Sequence, residues 1–260
     1  QAFECETPRF ELVRCAWAFP CAIERGADPA PLTRKEGSEV IDKNQPVAEL
    51  VLDHPASARV LSAHRIDFCC GGRQSLADAA ATRGLELNAL IADLERAVTE
   101  STEAAPDFRK LTTEQLVTHI VGKHHAYLRD ALPFLEGLAA KVQRVHGGTS
   151  PKLRTLERCV VELSSTLSRH LEDEERELFP TLLEDEPARD IEALLCEMTY
   201  EHSQVAHLLA RVREASDEFS PPSHACMSYR TLFAELERLE ADTLRHVHLE
   251  NHVLKARFVH

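Results

Sequence analysis

"RHLEDEERELFP", residues 169–180, decides the fold of this chain, because it carries an apolar helical seam onto two polar residues. Counting back from His170 by alternating intervals of three and four gives Leu167, Leu163, Val160, Leu156 and Leu153. Residues at that interval share one helical face, so this is the stripe an amphipathic helix turns toward a core. Counting forward, the stripe takes in His170 and then Glu174. An ionisable side chain on a core stripe is costly unless it is paired or bound to a metal.

Three other stretches repeat the pattern. Val121, His125, Leu128, Leu132 and Leu135 form one seam; Ile191, Leu195, Met198, His202, Val205, Leu209 and Val212 form another. The last runs Leu232, Leu236, Leu239, Thr243, His246, Glu250, Val253. The spacing predicts helices over roughly 113–145, 151–183, 187–215 and 221–258. Ser150-Pro151 and Ser220-Pro221 read as N-cap and first-turn proline, and Pro133 should kink the first helix. Short connections favour antiparallel neighbours, so the expected fold is all-α, an up-down-up-down four-helix bundle over residues 110–260.

The rest of the chain is less regular. Residues 1–44 carry Cys5, Cys15 and Cys21 and are an extension of unknown role. Residues 45–103 read as a small helical domain, with Ser75 capping one helix, Gly84 stopping it and Asn88 capping the next. That domain holds "IDFCCGG", residues 66–72. A bond between Cys69 and Cys70 would be strained, because adjacent Cα atoms lie about 3.8 Å apart, below the usual disulfide span. Gly71 and Gly72 are expected to take left-handed angles and expose both thiols at a turn. Exposed thiolates exchange electrons or metal, so Cys69 and Cys70 are candidates for a mobile redox or iron-transfer arm serving the bundle.

Composition narrows the function. A formal charge of −13 argues against nucleic acid or an anionic membrane as partner. The apolar run at residues 15–23 is too short to span a bilayer, and the segment before it is acidic where a signal peptide is basic. With eight cysteines and no secretory signal, reduced thiols and a cytoplasmic location are expected. Cys159, Cys196 and Cys226 read as small buried residues.

Chance placement of 14 histidines and 30 glutamates in 260 residues yields about 1.6 pairs spaced i, i+4. The pairs His170–Glu174 and His246–Glu250 therefore matter only because both lie on seams. Each presents an imidazole and a carboxylate to one point. His125 and His202 add a nitrogen each. Four imidazoles and two carboxylates exceed one ion and suit two; if both glutamates bridge and an oxide or hydroxide joins them, about one position per metal stays open. Nitrogen and oxygen ligands without thiolate suit iron or manganese, and availability favours iron. His124, His207, His248 and His252 fall off the seams and are expected to be solvated or satisfied locally. His146 should face a helix dipole. Glu201, beside His202, is either an acid near the site or a surface glutamate.

With these residues in view, the chain resembles the RIC family, the di-iron proteins of iron-sulfur cluster repair. The likeness covers about residues 46–254 and is carried by "DFCCGGRQSLADAA", "HHAYLRDALP", "RHLEDEERELFP", "EHSQVAHLL" and "HVHLENHVL". The fourth helix ends "NHVLKARF", where the family often has a Leu-Phe-Pro-like ending. The resemblance implies a hemerythrin-like bundle with a non-haem di-iron centre on His125, His170, Glu174, His202, His246 and Glu250. It further implies repair of clusters damaged by oxidative or nitrosative stress. The partners would be damaged iron-sulfur proteins, with nitric oxide or dioxygen as small ligands and a homodimer as a possible assembly. The irons would donate metal or reduce nitric oxide. A carrier or sensor of dioxygen or nitric oxide, without repair activity, is the alternative.

Overall fold

Helices account for the regular structure, and there are no strands among the described residues. The computed structural model describes residues 41–101, 106–184 and 190–259. Most of the expected extension, including Cys5, Cys15 and Cys21, lies outside them. The described residues all fall within one compact unit, residues 39–260.

Four short helices come first: α1 (Val47–Asp53), α2 (Ser57–Ala63), α3 (Leu76–Thr82) and α4 (Leu87–Glu100). Ser75 caps α3 by accepting from the Asp78 amide. Gly84, at φ 65°, closes it. The Gly84 amide donates to the Ala81 carbonyl and the Leu85 amide to that of Ala80, which satisfies the last carbonyls of the helix. Asn88 lies inside α4, not at its cap. The turn at Gly84 leaves Glu86 extended, and Leu87 is already helical. Leu50, Leu61, Phe68, Leu76, Leu90 and Leu94 form the core of this part, and Val247 from the last helix completes it.

Four long helices come next. The first, α5, runs through Thr113–His119, a π-helical turn Ile120–His125 and Ala126–His146. It continues past Pro133. The second, α6, comprises Lys152–Asp173, a π-helical turn Glu174–Leu178 and Phe179–Leu182. The third, α7, is Ile191–Ala215; the fourth, α8, comprises Met227–Leu249 and a π-helical turn Glu250–Leu254. Each of α6 and α8 packs against both α5 and α7. The last helix starts six residues later than its proline suggested. Pro222 disfavours the α region at Pro221, so the Ser220-Pro221 pair is a poor helix start.

Two apolar clusters fill the bundle. One contains Leu132, Leu163, Val205 and Leu236. The other contains Ile120, Leu178, Met198 and Leu254. Along every long helix the polar seam residues fall between the two, so the apolar packing defines a buried polar layer.

The Cys-Cys-Gly-Gly turn corrects two expectations. Neither Gly71 nor Gly72 is left-handed; Gly84 is the glycine at positive φ among the described residues. Gly72 is needed for close approach instead. A Cβ there would sit 2.6 Å from the Ala48 Cβ, 2.6 Å from the Phe68 carbonyl oxygen and 3.0 Å from His252 Nε2. Of the two thiols of the turn, Cys70 is exposed, whereas Cys69 is buried against the core. Gly72→Ala should lower unfolding stability by about 1–3 kcal/mol, as overpacking does. An unchanged midpoint in denaturant would show that the turn yields.

Candidate metal centre

Each long helix delivers its ligand candidates where a seam crosses the polar layer. His125, Glu174 and Glu250 lie on the three π-helical turns. A π turn adds a residue within an otherwise α-helical run, shifting the side chains around it, and such turns concentrate at functional sites. All six side chains are buried, none more than 2% exposed.

The carboxylates divide their oxygens between two sets of imidazoles. Glu174 Oε2 faces His125 Nε2 at 3.5 Å and His246 Nε2 at 3.9 Å. Its Oε1 faces His170 Nε2 at 3.4 Å and His202 Nε2 at 3.9 Å. Glu250 Oε1 lies 2.8 Å from His246 Nε2, and its Oε2 lies 3.1 Å from His202 Nε2. Two four-residue groups result, His125–Glu174–His246–Glu250 and His170–Glu174–His202–Glu250, each with its ligand atoms within 4.8 Å of one another. Both glutamates belong to both groups.

The donor set fits metal ions. Both Glu174 oxygens, Glu250 Oε2, His170 Nε2 and His202 Nε2 are buried with no hydrogen-bond partner. Leaving such atoms unpaired costs about 1–3 kcal/mol each, more where charged. Cations between them would satisfy the whole group at once. Burial opposes a charge on His125, but Glu174 and Glu250 outweigh it and raise the imidazole to about 10. Burial likewise opposes charge on His170, which Glu174 chiefly raises to about 9. The two buried carboxylates thus favour positive charge on His125 and His170, whereas burial pushes His246 below its ordinary range.

Outer hydrogen bonds aim the imidazoles. His125 Nδ1–H donates to Glu175 at 2.6 Å, His170 Nδ1–H to Glu201 at 2.8 Å and His202 Nδ1–H to Asn251 Oδ1 at 3.0 Å. Holding a proton on Nδ1 leaves Nε2 as the atom that faces inward, where a cation would displace the proton it carries. The arrangement is cyclic. Each supporting group is the chain neighbour of a ligand, yet serves the ligand of the preceding helix. In the fourth position His124 stacks on His246, with ring centroids 5.8 Å apart and planes 9° apart, and bonds to Asp242. Glu201 is thus neither a bulk surface residue nor unattached. Sequence reasoning missed Glu175 and Asn251; their adjacency to Glu174 and Glu250 was the available signal.

Other expectations need adjusting. His124 and His248 are buried, not solvated, and both find partners far along the chain. His207 is exposed. Of the three remaining cysteines, Cys159 is buried, but Cys196 and Cys226 are exposed. His146 Nε2 lies 3.2 Å from Cys226 Sγ. The Cys69 thiol, hydrogen-bonded to Cys70 and buried, is pushed well above the ordinary thiol range, so it is not the exposed thiolate expected. The two sulfurs lie 3.6 Å apart.

A cavity of about 210 Å³ reaches Glu174 from the side and is lined by Asp173, Glu177, Glu197 and Glu201. A larger one, about 860 Å³, lies among Arg59, Arg65, Glu218 and Arg245 and touches none of the six residues. No helix among the described residues is long and apolar enough to cross a membrane.

Fold and polar layer define a hemerythrin-like cation-binding bundle. The Hemerythrin HHE cation binding domain matches residues 116–258, and a domain of unknown function (DUF542) matches residues 43–98. The chain is 35% identical over 212 residues to the iron-sulfur cluster repair protein YtfE of Edwardsiella ictaluri, covering 82% of this chain and 95% of that protein. It is 29% identical over 219 residues to the iron-sulfur cluster repair protein ScdA of Staphylococcus epidermidis, covering 83% and 98%. It is 30% identical over 212 residues to YtfE of Escherichia coli O157:H7, covering 82% and 95%. The chain belongs to this family, the iron-sulfur cluster repair proteins of the YtfE and ScdA type.

Proposed function

We propose that this protein restores damaged iron-sulfur clusters, using two iron ions held by His125, His170, Glu174, His202, His246 and Glu250. One observation carries the reading: each buried carboxylate offers one oxygen to each pair of imidazoles. Bound iron would supply one-electron redox chemistry and open positions for nitric oxide. The chain's own residues do the rest. Glu174 and Glu250 tie the two positions together, so metal lost from one weakens the other. Glu175, Glu201 and Asn251 hold the imidazole protons away from the ligand face. The carboxylates lining the cavity beside Glu174 favour passage of a cation rather than an anion. Damaged iron-sulfur proteins are the partners, receiving iron, electrons or both.

Cys69 and Cys70 contribute no atom to either group of ligands. Replacing both with Ser should leave the iron content intact while impairing repair. The assay supplies reduced protein to an enzyme whose cluster was damaged by nitric oxide, without free iron and with a chelator control. Loss of iron from the double variant would make the thiols ligands. Normal repair would make them bystanders, and a reversible dioxygen adduct with no recovery of the client would favour a carrier.

A further inference from the structure

Of the three groups that hold an imidazole proton, Asn251 alone also has something to donate. Glu175 and Glu201 are carboxylates and only accept. The Asn251 amide is oriented by its surroundings. The Cys69 carbonyl can only accept, so the amide turns Nδ2 toward it and Oδ1 toward His202 Nδ1, whose proton it accepts when Nε2 holds a metal. Nδ2 donates to that carbonyl at 2.9 Å.

That carbonyl belongs to a turn tied together by one carboxylate. Asp67 accepts from the Cys69, Cys70 and Gly71 amides at 3.0, 2.8 and 2.9 Å. Neighbours of Asn251 hold the same turn: His252 Nε2 bonds the Cys69 carbonyl at 2.9 Å and His248 Nδ1 bonds that of Phe68 at 3.1 Å. We propose that Asn251 is a positioning residue that couples the Cys69–Cys70 turn to the metal centre, so that docking of the turn on α8 and occupancy of the centre change together. The inference rests on reading His202 as a metal ligand. A cation on His202 Nε2 polarises its Nδ1–H, which strengthens the bond to Asn251 and, through the amide, the bond to Cys69. Linkage makes the effect reciprocal.

The test is alkylation, followed by mass spectrometry, of wild-type protein with and without ferrous iron under anaerobic conditions. Cys159, buried in the bundle core, reports general stabilisation. Iron should slow labelling of Cys69 about tenfold more than that of Cys159. In Asn251→Ala the excess should vanish. Asn251→Asp should also lose it while keeping its iron, because a carboxylate still accepts from His202 but cannot donate to Cys69. An equal excess in wild type and Asn251→Ala, or none in wild type, overturns the coupling. Wild-type protein that takes up no iron overturns the metal-centre reading beneath it. Should the variants fail to fold, hydrogen exchange at the Cys70 and Gly71 amides of wild type decides: slower exchange with iron supports the coupling, and unchanged exchange overturns it.

Discussion

Glu174→Ala is expected to bring the iron content from about two per chain to well below one, while circular dichroism stays helical. Each oxygen of Glu174 faces a different pair of imidazoles. Removing the side chain therefore strips a ligand from both positions, leaving each with two imidazoles and one oxygen of Glu250. His202→Ala makes the contrast. It touches one group only, so the set His125–Glu174–His246–Glu250 stays whole. That variant should retain about one iron per chain. Full iron content with an unchanged optical spectrum in Glu174→Ala would sink the assignment.

The second large effect is on repair itself. With His170 and His246 both replaced by Ala, each group loses one imidazole, and recovery of a nitric oxide-damaged client should fall to the level of the assay without protein. Because neither residue lies in the Cys-Cys-Gly-Gly turn, this variant separates the metal layer from the thiols. Recovery that persists would show that the six-residue layer is not responsible, whatever the cysteines do.

The seams were legible because helical periodicity survives in a bundle. Leu153, Leu156, Val160, Leu163 and Leu167 are all buried, and the next step along the stripe leads straight to His170 and Glu174. Helix ends were less legible. Pro221 read as a start, yet a second proline beside it disfavours one, and α8 begins at Met227. The supports of the imidazoles were nearly invisible. Glu175 and Asn251 lie beside seam residues and look like solvent-facing polar positions in any one-dimensional reading; only the neighbouring helix gives them a partner. The turn at Cys69 misled for a related reason. Paired glycines suggest left-handed angles, but what Gly72 answers is the approach of Ala48 and His252, residues distant in sequence. Contacts between elements do not write themselves into local pattern.

The most direct measurement is an anaerobic titration of the metal-free protein with ⁵⁷Fe(II), read by bound iron per chain and by Mössbauer spectra of the oxidised product. Two carboxylates shared between two sets of imidazoles predict a plateau at about two irons per chain, with the pair magnetically coupled. A plateau at one, or two irons that behave independently, would contradict the bridging roles of Glu174 and Glu250.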